Sequence, residues 1–130
     1  MKLQISSSLD NLIEVEKEID GLSDKLKLNS DVYANILVAV TEAVKNAIIH
    51  GNKLNQNKDV TISFESNDKH IIFTISDFGD GFDFLTIPDP TLPENIEKEE
   101  GRGIFLMNCL ADEVIFNDKG NEVSLKFHFN

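Results

Sequence analysis

Residues 60–77, VTISFESNDKHIIFTISD, constrain the fold more than any other stretch. Val60, Ile62 and Phe64 alternate with polar neighbours, and Ile71, Phe73 and Ile75 recur at the same spacing. A period of two gathers each apolar set on one face of a half-buried strand. Only NDK separates the two runs, so they pair as an antiparallel hairpin. EVIFN and NEVSLKFHF, joined around DKG, repeat the device with Val123, Leu125, Phe127 and Phe129 alternating. KLQIS, at residues 2–6, reads as one more half-buried strand. A sheet with one apolar face has to be covered, and the remaining periodic segments are helical.

Ser8 is placed to cap a first helix running to about Ile19, with Leu9, Leu12, Ile13, Glu16 and Ile19 on its period and Gly21 as its stop. The second helix starts at Ser30 or Asp31 and runs to His50. Val32, Tyr33, Ile36, Leu37, Val40, Val44, Ala47 and Ile48 make its broad apolar face, with Gly51 in the left-handed position just after it. A third helix spans about Ile104 to Ala111. The pattern predicts one α+β domain over residues 1–130, in two layers, with helices on one face of the sheet. No internal repeat interrupts it. The exception is FDFLTIPDPTLPENIEKEEGR, residues 82–102, which holds all three prolines and an acidic run between two glycine clusters. So long an irregular segment inside a compact domain predicts a lid, over about residues 84–102.

Composition narrows the partners. A formal net charge of −11 argues against direct binding of nucleic acid, which needs Lys and Arg to neutralise phosphates. A single phosphate ligand stays open to the chain, because backbone N–H groups and a metal ion can hold it. The sequence offers no apolar run read as a membrane span, and the N-terminus lacks the apolar core of a signal peptide. The single cysteine, Cys109, lies in the apolar run GIFLMNCLA and reads as a buried thiol without an intrachain disulfide. These features predict a cytoplasmic protein.

Three stretches carry chemistry. In TEAVKNAIIHGN, residues 41–52, Glu42, Asn46 and His50 follow one another at four-residue spacing and form one polar stripe, with Asn35 close to its line. A charged helix commonly turns such a stripe to solvent. Here Val38, Ala39, Ala43 and Ile49 flank it, which suits one wall of a polar pocket. His50 fits either a phosphate contact or a cap on the helix C-terminus. SDFGDGF, residues 76–82, follows a strand directly. It lacks the ligand spacing of a calcium loop, and no lysine strand or catalytic loop of a protein kinase accompanies its DFG. EGRGIFLM, residues 100–107, sets glycines at the mouth of a helix, where backbone can approach a ligand and free N–H groups attract anions.

EAVKNAIIHG, then DFGDG after a strand, then a lid, then GRGIFLM, together resemble the Bergerat-fold ATPases of the GHKL superfamily. The wording is closest to the bacterial anti-sigma factor serine kinases within it, and the likeness runs on through LADEVIFN and the closing hairpin. The resemblance implies a two-layer α/β sandwich with a mixed, mostly antiparallel sheet. It implies an ATP- and magnesium-dependent protein serine/threonine kinase that phosphorylates an anti-anti-sigma partner of the STAS type. A sigma factor as second partner and a homodimer are possible further associations. By the same resemblance Asn46 matches a magnesium ligand and Glu42 the general base for a serine hydroxyl. Asp77 matches the carboxylate that accepts a hydrogen bond from the adenine amine, while Gly79 and Gly81 let the base lie against backbone. Gly101, Arg102 and Gly103 match the box that closes over the phosphates. The chain departs from the family at Asn121, where a threonine is common, and at Phe78, where a small polar residue is common. Two other readings stay open: a non-catalytic module that holds ATP or a partner, and the catalytic domain of a sensor histidine kinase.

Overall fold

The computed structural model describes residues 2–79 and 100–129. Strand β1 (Lys2–Ser6) leads through a short 3-10 turn, Leu9–Asn11, into helix α1 (Leu12–Leu26). Helix α2 (Ser30–Asn46) continues without a break into a π-helical turn, Ala47–Gly51. Strands β2 (Asp59–Ser66) and β3 (His70–Ser76) follow, then helix α3 (Glu100–Leu110) and strands β4 (Glu113–Phe116) and β5 (Glu122–His128). The five strands lie in the order β1-β2-β3-β5-β4. Both predicted hairpins form, and every ladder among the described residues is antiparallel, so the mixed pairing implied by resemblance is absent from this part of the sheet.

The register explains why one face is buried. Ile62 stands opposite Ile75, Ile75 opposite Val123, Phe73 opposite Leu125 and Ile71 opposite Phe127. All of these are buried, and Phe73 meets Phe127 edge-on with ring centres 6.1 Å apart. Burying each such side chain contributes roughly 1.5–3 kcal/mol. Helix α2 covers this face, packing on β3 and β5 and flanked by α1 and α3. Its predicted apolar residues Ile36, Val40, Val44, Ala47 and Ile48 are all in the core.

Several sequence expectations fail locally. Helix α1 does not stop at Gly21 but runs through it to Leu26, where Lys27 takes the left-handed cap position with φ 55°. Its buried residues are Val15, Ile19 and Leu22, while Leu9, Ile13 and Glu16 are exposed. Continuing the stripe through Leu22 buries more than the roughly 1 kcal/mol that an interior glycine costs. Gly51 has no positive φ; the left-handed residues after the π-turn are Lys53 and Leu54. The exit from the helix is thus set by two ordinary residues, and Gly51 serves a different purpose. Cys109 is exposed. The buried residues of α3 are Gly103, Ile104 and Met107, and at 3.6 residues per turn Cys109 falls on the other side. By length and composition the 22-residue run Ser30–Gly51, of mean hydropathy 1.4, matches a membrane span, contrary to the sequence reading. Its apolar face is committed to the domain core, which explains the composition without a bilayer.

Candidate functional site

Helix α2 is started by Asn29, whose side-chain oxygen accepts from Val32 N–H. It then carries the polar stripe along the side that α3 approaches. Glu42 and Asn46 are both half-buried, and Glu42 Oε1 lies 3.6 Å from Lys45 Nζ. Across from them stands Gly103, in the second turn of α3. A Cβ built on Gly103 would lie 3.1 Å from Glu42 Oε2, 3.1 Å from Asn46 Nδ2 and 3.2 Å from Asn46 Oδ1. The carboxylate and the amide therefore converge on one glycine, with slightly less than a methyl's room between helix backbone and two polar side chains. Helix α3 begins earlier than the sequence suggested, so Gly101, Arg102 and Gly103 belong to the helix itself. Arg102 is exposed, and so is His50, which lies in the π-turn.

The second half of the site lies beyond that turn. Asn52 N–H donates to Ala47 O at 2.8 Å, the wider spacing of a π-turn, a feature that often marks functional sites. Gly51 thereby comes against the loop that follows β3. A Cβ on Gly51 would sit 2.3 Å from Asp77 Oδ2, and one on Gly79 would sit 2.1 Å from Gly51 O. No side chain fits at either position, so both glycines are required by close approach. Asp77 accepts from Gly79 N–H at 2.7 Å. Burial pushes its carboxyl above the ordinary value of 3.8, against the lowering effects of the Gly79 N–H, Lys119 and Lys58.

Asn121 reaches the same loop. Its backbone oxygen accepts from Asp77 N–H at 3.0 Å, and its side chain donates to Gly79 O at 3.4 Å. Asn117 supports it by donating to Asn121 Oδ1 at 2.7 Å. The position where the family threonine was expected therefore contacts the glycine loop through an amide. Phe78 between Asp77 and Gly79 is 66% exposed. Gly81, together with most of the lid predicted over 84–102, lies outside the described residues.

Gly51, Asn52, Lys53, Asn55, Lys58 and Gly79 line a cleft of about 290 Å³. Asn46 and Gly51 are five residues apart on one helical run, so the two halves of the site are separated by about 7–8 Å along its axis. The arrangement offers a half-buried carboxylate beside a cleft at one end, and an amide with a carboxylate at the other. Oxygen donors of this kind, few in number, suit magnesium, which keeps water and phosphate in its remaining positions. Gly51 and Gly79 close on each other and on Asp77, and Gly103 brings helix backbone up to Glu42 and Asn46, so glycines set the close approach at both ends of the site. On these observations the residues fit a magnesium nucleotide.

Sequence reasoning missed Asn52 and the mutual contact of Gly51 with Asp77. The only local signal was GN directly after the stripe.

The histidine kinase-like ATPase domain family is matched over residues 5–127. Serine-protein kinase RsbW of Staphylococcus aureus strain JH9 is 31% identical over 133 residues, an alignment covering 96% of this chain and 84% of that protein. The protein of the same name from strain Newman matches to the same extent. Among solved structures, the RsbU and RsbW domains of a Mycobacterium tuberculosis protein superpose with a TM-score of 0.63 at 13% identity. That likeness covers all of this chain but only 32% of the other, and it speaks for the fold alone.

Proposed function

Because this chain belongs to the histidine kinase-like ATPase domain family, with relatives named serine-protein kinases, we propose that it is an ATP-dependent protein serine/threonine kinase. Its substrate in this reading is a serine or threonine on a small anti-anti-sigma protein of the STAS type. A sigma factor is the second partner, held as an anti-sigma factor holds it, and transcription is what the cycle regulates. ATP chemistry of this kind belongs in the cytoplasm.

The observation that carries the proposal is the convergence of Glu42 and Asn46 on Gly103. ATP supplies the transferable γ-phosphoryl group, and magnesium offsets the charge on its oxygens. Asn46 is the residue that would hold the metal, through its amide oxygen. Glu42, one turn away on the same face, accepts the proton of the attacking hydroxyl. Asp77 reads the exocyclic amine of adenine, a donor that guanine lacks at that position, and Gly51 and Gly79 allow the close packing that surrounds this carboxylate. Gly101, Arg102 and Gly103 border the phosphates. A module that only held nucleotide would have no use for a base at position 42.

The test is Glu42→Gln. Gln keeps the shape and is no metal ligand in this reading, so ATP affinity stays near the parent's. Transfer of labelled γ-phosphate to a STAS protein that co-purifies with the chain falls by roughly 10²–10⁴-fold. Undiminished transfer removes Glu42 from the mechanism. No transfer by the parent to any partner leaves the binding-module reading in its place.

A further inference from the structure

Asn52 is 2% exposed, and with Ser7 it is one of two buried polar residues among those described. A buried amide without partners costs several kcal/mol by the usual order of magnitude, so where its hydrogen bonds go shows what it holds together. Its Nδ2 donates to Ser7 Oγ at 2.9 Å and to Asp59 O at 3.1 Å, with Lys58 O at 3.3 Å. Ser7 Oγ in turn donates to Lys58 O. Its Oδ1 accepts from Phe78 N–H at 2.8 Å. One side chain thus ties the end of β1, the π-turn, the start of β2 and the loop after β3.

The last of these bonds differs from the others. Asp77, Phe78 and Gly79 present three successive backbone N–H groups, and each is held: by Asn121 O at 3.0 Å, by Asn52 Oδ1 at 2.8 Å and by Asp77 Oδ1 at 2.7 Å. The bond from Asn52 is the one among them that reaches this loop from the helix side. It fixes the peptide that follows Asp77. It therefore fixes the direction in which the Asp77 carboxylate leaves the backbone, against a Gly51 that has no side chain to stop it from swinging.

We propose that Asn52 is a positioning residue for base recognition: it aims the Asp77 carboxylate and so sets the preference for adenine over guanine nucleotides. This rests on the reading of Asp77 as the adenine acceptor. The phosphate end of the site, Glu42 and Asn46, is held by α2 and α3 and does not depend on this bond. Loss of Asn52 therefore changes base selectivity more than the rate of phosphoryl transfer at saturating ATP. Ser7 gives the contrast, because cutting its bond to Asn52 weakens the same buried network while leaving Oδ1 on Phe78 N–H.

The experiment measures the dissociation constants of magnesium-ATP and magnesium-GTP, with thermal stability, for the parent, Asn52→Ala, Asn52→Asp, Ser7→Ala and Asp77→Asn. The expected ratio of GTP to ATP constants falls about tenfold in Asn52→Ala, the order of one hydrogen bond. It stays within about twofold of the parent in Ser7→Ala, and Asn52→Asp, which keeps an acceptor for Phe78 N–H, recovers most of it. If Asn52→Ala does not fold, Asn52→Gln, whose acceptor is displaced by one methylene, carries the same expectation. A ratio that is unchanged in Asn52→Ala (or in Asn52→Gln where that stands in for it), or that falls equally in Ser7→Ala, overturns the positioning role while Asp77→Asn still lowers it. A parent without base preference, or an Asp77→Asn variant that keeps the parent ratio, overturns the adenine reading itself and the inference with it.

Discussion

Gly103→Ala separates what this site needs from what the fold needs. Gly103 lies inside α3 at a φ that any residue can adopt, so alanine there is favoured by helix propensity, by up to about 1 kcal/mol. For a domain of this size that is a rise in melting temperature of about 4 °C. The new methyl would lie 3.1 Å from Glu42 Oε2 and 3.1–3.2 Å from the Asn46 amide, where ordinary contact begins at 3.4 Å, so both side chains must retreat by 0.2–0.3 Å. Both are the ends of flexible side chains, and the fold yields at little cost. Catalysis does not. A displacement of 1 Å costs about 10²-fold, so 0.2–0.3 Å costs about 2.5- to 4-fold for each group and on the order of 10-fold for the two together. The contrast is Gly79→Ala, whose Cβ would meet the backbone oxygen of Gly51 at 2.1 Å; nothing flexible can move away, and stability itself must fall. The assay pairs thermal unfolding with γ-phosphate transfer for both variants. Gly103→Ala is expected to melt at or above the parent temperature and transfer about 10-fold more slowly. Full activity in Gly103→Ala, or a loss of stability like that of Gly79→Ala, would refute the argument that this glycine exists for the polar pair.

Two further expectations follow from single residues. Asp77→Asn is expected to weaken ATP binding by about 10- to 100-fold, the loss of a hydrogen bond to a charged group, and yet to raise stability at neutral pH. Burial raises the Asp77 carboxyl, so between its ordinary value of 3.8 and its folded value the native state holds a proton that the unfolded chain has released. That contribution to stability declines as pH rises through this window, and the full penalty stands at pH 7. Denaturant melts from acidic to neutral pH check it, and the advantage of Asn should vanish towards the acid end. Gly21→Ala, in an exposed stretch of α1 where a new Cβ meets nothing within 4 Å, should stabilise the fold by about 0.5–1 kcal/mol with nucleotide affinity unaltered.

Local chemistry determined which elements form. Period two in residues 60–77 and again near the C-terminus made strands, and period 3.6 in residues 30–50 made both the core face of α2 and the stripe of Glu42 and Asn46. These patterns are legible because a side chain's direction depends on backbone geometry within a few residues. The order of the three motifs was legible for the same reason. Tertiary structure decided what meets what. Glu42 and Asn46 face Gly103, Gly51 faces Asp77, and Asn52 binds Ser7 and Phe78, all through partners remote in sequence. No local period encodes such partners. The same holds for the errors. Gly21 stops no helix because the core reaches Leu22 beyond it, and Cys109 is exposed because α3 turns Ile104 and Met107 inward. Gly51 is a special position, as its place after the stripe suggests, but not through a left-handed backbone. Its backbone is ordinary; the carboxylate of Asp77, arriving from the sheet, leaves no room for any other residue.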